Sequence, residues 1–144
     1  MIPDRRILFL DDDPSRGSAF LAWNPGSVWV ETAVDCLERL AEPWDEVHLD
    51  HDLGGETFVG YEREDCGMAV VRWLCDEPRP HLWGTQFVVH SHNSGAACTM
   101  VFHLQTMGYH VQERPFGAPP LSSRMPGSAL FSGIANLVFR LLGR

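Results

Sequence analysis

The sequence lacks any apolar run near the ~18 residues that a membrane-crossing helix needs. The opening segment is not expected to act as a secretory leader. The short apolar core Ile7-Leu8-Phe9-Leu10 runs straight into three acids, Asp11-Asp12-Asp13. A cytoplasmic location without membrane attachment is the resulting expectation. Cysteine is sparse, and none of Cys36, Cys66, Cys75 and Cys98 forms a C-x-x-C pair. That argues against a zinc ribbon and leaves ordinary buried or half-buried thiols. Positive charge is scarce too. Eleven basic against 19 acidic residues give a formal net charge of −8, which disfavours a broad surface for long nucleic acid. A concentrated acidic pocket can nevertheless hold a divalent cation, and the cation then receives phosphate. No internal repeat and no linker divides the 144 residues, a length that suits one domain.

Five short apolar runs read as buried parallel strands, at 6–11, 27–31, 46–50, 86–90 and 109–113. Helical patterns lie between and after them, at 14–23, 32–41, 66–75, 94–107 and 128–142. Asp13 is placed to cap the first helix, with Pro14 at its opening position. Strand and helix alternating five times predicts a five-stranded parallel sheet with helices on both faces. The expected domain is therefore a single α/β unit over residues 1–144. Two stretches break the rhythm. One is a polar insertion, GGETFVGYERED, at 54–65; the other is a proline-rich connection, GAPPLSSRMPG, at 117–127. A long loop beside a strand end suits a lid or a specificity loop. The last helical pattern carries one charge, Arg140, before its end. So uncharged an outer face predicts a homodimer contact through that helix.

Ligands of open parallel sheets bind outside the carboxyl ends of the strands, and the polar residues of this chain collect there. Strand one ends in Asp11-Asp12-Asp13, strand three in Asp50-His51-Asp52, and strand four in His90-Ser91-His92-Asn93. Strand five ends in Glu113-Arg114. Converging carboxylates raise one another's pKa unless a cation lies among them. Asp11, Asp12 and Asp50 are the candidate ligands. Oxygen donors without thiolate favour Mg²⁺ or Mn²⁺, with Ca²⁺ as a further option. His90 and His92 share one side if the strand runs through them. Histidine there serves as acid or base near neutral pH, or as a ligand for a softer metal. Arg114 can grip phosphate at two points, or pair with the acids.

These positions resemble the response-regulator receiver domain, a flavodoxin-like (βα)5 fold. The acid pair Asp11-Asp12 of ILFLDDDPSR is similar to that family's Mg²⁺ site. Asp50 of HLDHDLGG is similar to its phosphate acceptor, and Ser91 to its strand-four hydroxyl. Arg114-Pro115 stands where the family has Lys-Pro, and Gly67 where a glycine opens the third helix. The additional His51, Asp52, His90, His92 and Asn93 depart from that pattern. Together, DDDP, LDHDLGG and HSHN resemble a divergent branch, the cyclic-phosphate-processing receiver domain family. This resemblance implies processing of a cyclic phosphate on a nucleotide, ADP-ribose or RNA end.

Three functions follow as expectations. The first is a metal-dependent phosphoesterase acting on a small phosphorylated, nucleotide-like ligand. Its catalytic residues would be Asp50, Asp52, His90 and His92, with Ser91, Asn93, Arg114 and His51 binding the phosphate. The second is a signalling receiver that accepts phosphate on Asp50. The third is a sensor that binds a cyclic phosphate without turning it over.

Overall fold

A computed structural model of the chain describes residues 4–114. The helical pattern at 128–142, its dimer contact and the 117–127 connection lie outside those residues. Within them the chain forms five strands: β1 (Ile7–Leu10), β2 (Val28–Val30), β3 (Glu46–Leu49), β4 (Gln86–Val89) and β5 (His110–Glu113). Four α-helices alternate with them: α1 (Pro14–Trp23), α2 (Ala33–Arg39), α3 (Gly67–Asp76) and α4 (Ser94–Thr106). A single 3₁₀ turn, Pro80–Leu82, precedes β4. The strands pair in parallel in the order β2-β1-β3-β4-β5. The parallel sheet expected from the alternation is thus present, and its strand order is that of the flavodoxin-like fold which the resemblance implies.

Why the runs become strands is visible in their burial. Leu8, Leu10, Val47, Leu49, Phe87 and Val89 are fully buried on one face of the sheet. They pack there with Cys36 and Leu40 of the α2 segment, Val70 and Leu74 of α3, and Met100 and Leu104 of α4. Alternate residues face the other side, where Phe9 stacks on Phe20 of α1 at 4.1 Å between centroids. A strand buried on both faces needs apolar residues at nearly every position, which is why no clean alternation appears.

The helix starts fix the strand ends beneath them. Asp13 caps α1 by accepting from the Ser15 N–H at 2.8 Å and the Arg16 N–H at 3.2 Å. Asn93 caps α4, its Oδ1 accepting from the Ala96 N–H at 3.1 Å. The start of α3 lies directly against the end of β3. The Gly67 N–H donates to the His51 carbonyl at 2.9 Å. A Cβ on Gly67 would stand 2.0 Å from the Asp50 carbonyl oxygen and 2.9 Å from the His51 Cα. Both neighbours are backbone, which cannot swing aside. On the opposite side, Gly17 leaves room for the Trp29 ring, whose Nε1–H donates to the Asp11 carbonyl at 2.8 Å.

Gly67→Ala therefore shifts the backbone that carries Asp50. We expect a loss of about 1–3 kcal/mol from overpacking. This outweighs the roughly 1 kcal/mol that alanine ordinarily gains over glycine in a helix. Chemical denaturation of the two proteins measures it, and a variant more stable than the parent would contradict the contact.

Candidate metal and phosphate site

The sheet register builds the site. Asp11, Asp50, His90 and Arg114 are each the first residue past the end of β1, β3, β4 and β5. Each donates its backbone N–H to the last residue of a neighbouring strand. Asp11 bonds Val30 at 3.1 Å, Asp50 bonds Leu10 at 3.1 Å, His90 bonds Leu49 at 2.9 Å and Arg114 bonds Val89 at 2.9 Å. The four residues therefore form one further row across the parallel sheet. Adjacent strands lie ~4.8 Å apart, so neighbours in that row are held at ligand-sharing distance.

Ligand atoms of Asp11, Asp50 and His90 all lie within 4.8 Å of one another, and all three residues are buried. His90 Nε2 lies 3.0 Å from Asp11 Oδ2. Its ring stacks on Phe9 at 4.8 Å with a 3° interplanar angle. Burial lowers the His90 pKa below its ordinary value, so the ring is neutral at pH 7. Burial alone would raise the Asp11 pKa, but hydrogen bonds from His90, Arg16 and the Asp13 N–H more than offset it and hold the carboxyl below its usual range. Asp50 behaves oppositely. Burial and the charge of Asp11 push its pKa up to about 7, although its Oδ1 accepts the His51 N–H at 2.8 Å. Two oxygen donors and one imidazole suit a divalent cation of borderline hardness. The donor set therefore fits a metal, with His90 in the place that the sequence reading gave to Asp12.

A residue the sequence reading passed over completes the cluster. Arg16, in the first turn of α1, lays its guanidinium along Asp11, with Nε to Oδ2 and Nη2 to Oδ1 both at 2.8 Å. The same group lies 3.2 Å from Asp13 Oδ2, 3.5 Å from Asp50 Oδ2 and 3.8 Å from Asp12 Oδ1. Burial would lower the Arg16 pKa, but these carboxylates outweigh it and raise it. The available signal was a lone cation four residues after Asp12, at helical spacing.

Above this floor opens a cavity of about 340 Å³ lined by Asp12, Arg16, Asp50, Asp52, Ser91 and His92, among others. Gly55, Glu56 and Thr57 of the 54–65 loop also line it. The loop is tied down from below. Asp52 accepts from the Phe58 N–H at 2.7 Å, the Val59 N–H at 3.1 Å and Asn93 Nδ2 at 3.4 Å. Asp12 accepts from the Gly55 N–H. His92 is exposed at the cavity, whereas His90 is buried. The two do not share a side, because β4 ends at Val89 and the chain turns. His51 is fully buried behind the cavity. Its Nδ1 lies 2.7 Å from Asp52 Oδ1, and its ring meets Tyr61 edge-on. Burial would lower the His51 pKa, but Cys66 and Asp52 hydrogen bonds raise it. His51 thus orients Asp52 and does not reach the cavity. Arg114 is half-buried and is not a lining residue. It stands next to His90 in the row, two strand spacings from Asp50.

A family profile described as the cyclic-phosphate processing receiver domain matches residues 6–106. No curated protein sequence matches the chain. Among solved structures, the chain is similar to one titled adenylate cyclase from Rhodopirellula baltica. The TM-score is 0.51 at 15% identity, covering 98% of each chain. It is also similar to RcsB from Salmonella enterica serovar Typhimurium, solved bound to promoter rprA in the presence of phosphomimetic BeF3−. There the TM-score is 0.50 at 12% identity, over 92% of this chain and 66% of that one. At such identities the likeness concerns the fold.

Asp50 makes a pH prediction for chelator-treated protein. Its folded pKa of about 7 lies above the ordinary 3.8, so the native state binds the extra proton. Its contribution is complete below the unfolded pKa and is lost as pH rises through about 7. Asp50→Asn cannot ionise. The melting temperature of the variant should therefore gain on the parent as pH rises across that window, by a few degrees. Parallel melting curves at acid and neutral pH would refute the buried, proton-holding carboxyl.

Proposed function

Because the chain belongs to the cyclic-phosphate processing receiver domain family, we propose that it is a metal-dependent phosphoesterase which opens a cyclic phosphate on a small nucleotide-like ligand. The observation that carries this reading is the buried Asp11–Asp50–His90 triplet, whose Asp50 lines an open, acid-walled cavity. The cavity size lies within the range of small-ligand sites, which favours a small phosphorylated molecule over a nucleic-acid strand.

Asp11, Asp50 and His90 would hold the ion, and the imidazole favours Mn²⁺ over Mg²⁺. When bound, such an ion polarises a phosphoryl oxygen and lowers the pKa of a water. Ser91 and the loop residues Gly55, Glu56 and Thr57 line the space where the remaining phosphoryl oxygens would rest. His92, exposed at the same cavity, gives its proton to the departing ring oxygen. The reaction adds one water across one P–O bond. The water oxygen joins phosphorus, one proton ends on the new hydroxyl, and the second leaves as the monoester ionises. Asp52, held by His51 and Asn93, keeps the loop over the reacting group.

The test is a chromatographic assay of 2′,3′-cyclic nucleotides, ADP-ribose cyclic phosphate and cyclic-phosphate RNA ends, with Mn²⁺ or Mg²⁺, beside acetyl-phosphate labelling. We expect turnover of one of them, abolished by chelation and reduced about 10²-fold or more in His92→Ala. A stable acyl-phosphate on Asp50 without turnover would return the chain to the signalling receivers. Tight binding of a cyclic phosphate with no product would make it a sensor.

A further inference from the structure

Arg16 occupies the oxygens that a metal would need. Its Nε and Nη2 take both oxygens of Asp11, and Nη2 also faces Asp50 Oδ2. A guanidinium and a divalent ion compete for those oxygens, since like charges repel most strongly where water is scarce. An ion at Asp11, Asp50 and His90 therefore drives the guanidinium outward. It has somewhere to go. The Arg16 side chain is 30% exposed and lines the cavity. A guanidinium turned into that cavity meets whatever anion enters it, and its planar fork matches two phosphoryl oxygens. The chain has no lysine that could serve instead, all 11 of its basic residues being arginine. Arg114 lies outside the cavity lining.

We propose that Arg16 has two alternating roles: it is the stand-in cation of the ion-free carboxylates, and once the ion displaces it, it is the residue that grips the substrate phosphate. The inference rests on the metal reading above and extends it to a residue that reading did not use. It makes ion and phosphate binding mutually supportive. Phosphate holds Arg16 away from Asp11 and so favours the ion, and the ion frees Arg16 and so favours phosphate. Linkage requires the two effects to be equal.

Isothermal titration with Mn²⁺ alone, and with Mn²⁺ plus inorganic phosphate, tests this on the intact chain. In the parent protein, saturating phosphate should tighten Mn²⁺ binding on the order of tenfold. Arg16→Gln removes the charge and keeps much of the side chain. It should bind Mn²⁺ on the order of tenfold tighter without phosphate, and phosphate should then add little. Arg16→Lys, which keeps a charge, should stay near the parent in Mn²⁺ affinity but lose part of the phosphate effect. Equal Mn²⁺ affinity in the parent and Arg16→Gln would overturn the inference while leaving the metal site standing. Absence of Mn²⁺ binding in both would overturn the metal site and the inference together. The phosphate effect on the parent needs no variant to fold, and its absence alone rejects the second role of Arg16.

Discussion

The rest of the site depends on one row of a parallel sheet. Neighbouring strands are held at a fixed spacing by their hydrogen bonds, and the register puts Asp11, Asp50 and His90 side by side at the row just past the strand ends. Two carboxylates so close, and buried, cannot both be charged without a counter-charge. The chain meets that demand three ways at once. Arg16 lies along Asp11, His90 hydrogen-bonds it from the other side, and Asp50 rises toward the protonated form. Each is a response to the same repulsion. Remove any one and the others carry more of it.

A second layer stands on this floor. Asp12 and Asp52 are one and two residues further along their strands' exits, and their carboxylates accept backbone N–H groups of the 54–65 loop. Hydrogen bonds to a carboxylate are stronger than neutral ones, so the loop is fastened at its Gly55 and Phe58–Val59 positions. Phe58 adopts φ +53°, a conformation uncommon for a non-glycine residue. The Asp52 bonds to its own N–H and the next one account for its being held there. His51 contributes from behind, by orienting Asp52. The LDHD segment thus divides its labour. Asp50 serves the floor, Asp52 serves the wall, and His51 joins them.

Much of this was legible in the sequence, and the reasons differ by element. The strands announced themselves because burial on both faces demands unbroken apolar runs, and each run found lies within a residue or two of its strand. Asp13 as a cap was readable because only a few residue types do that job, whereas Gly67 entered only through the resemblance, as the glycine that opens the third helix. The convergence of the strand-end acids followed from the alternation of strand and helix. What could not be read was direction. The parity argument for His90 and His92 needs a strand that continues, and β4 stops at Val89. His51 looked like a pocket residue because it neighbours two of them, but it is fully buried, with its Nδ1 against Asp52 and its carbonyl accepting from the Gly67 N–H. Arg16 was missed for a different reason. An arginine in the first turn of a helix usually faces water, and nothing in its spacing alone distinguishes that from a group turned inward onto four acids.

The order of residues along the row also bears on the proposed function. A receiver that signals through an acyl-phosphate is expected, from the resemblance, to use a strand-four hydroxyl and a strand-five cation around its acceptor aspartate. Here the row neighbour of Asp50 on strand four is an imidazole, and Ser91 lies one residue beyond it. The cation of strand five, Arg114, is separated from Asp50 by that imidazole and by two strand spacings. The nearest positive charge to Asp50 is instead Arg16, which comes from the other side and already belongs to Asp11. A phosphoryl group on Asp50 would therefore enter the cavity that Arg16 and Ser91 also line, on the side away from Arg114. The same physical fact, two acids forced together by the register, explains why the position asks for a cation and why this chain carries one of its own.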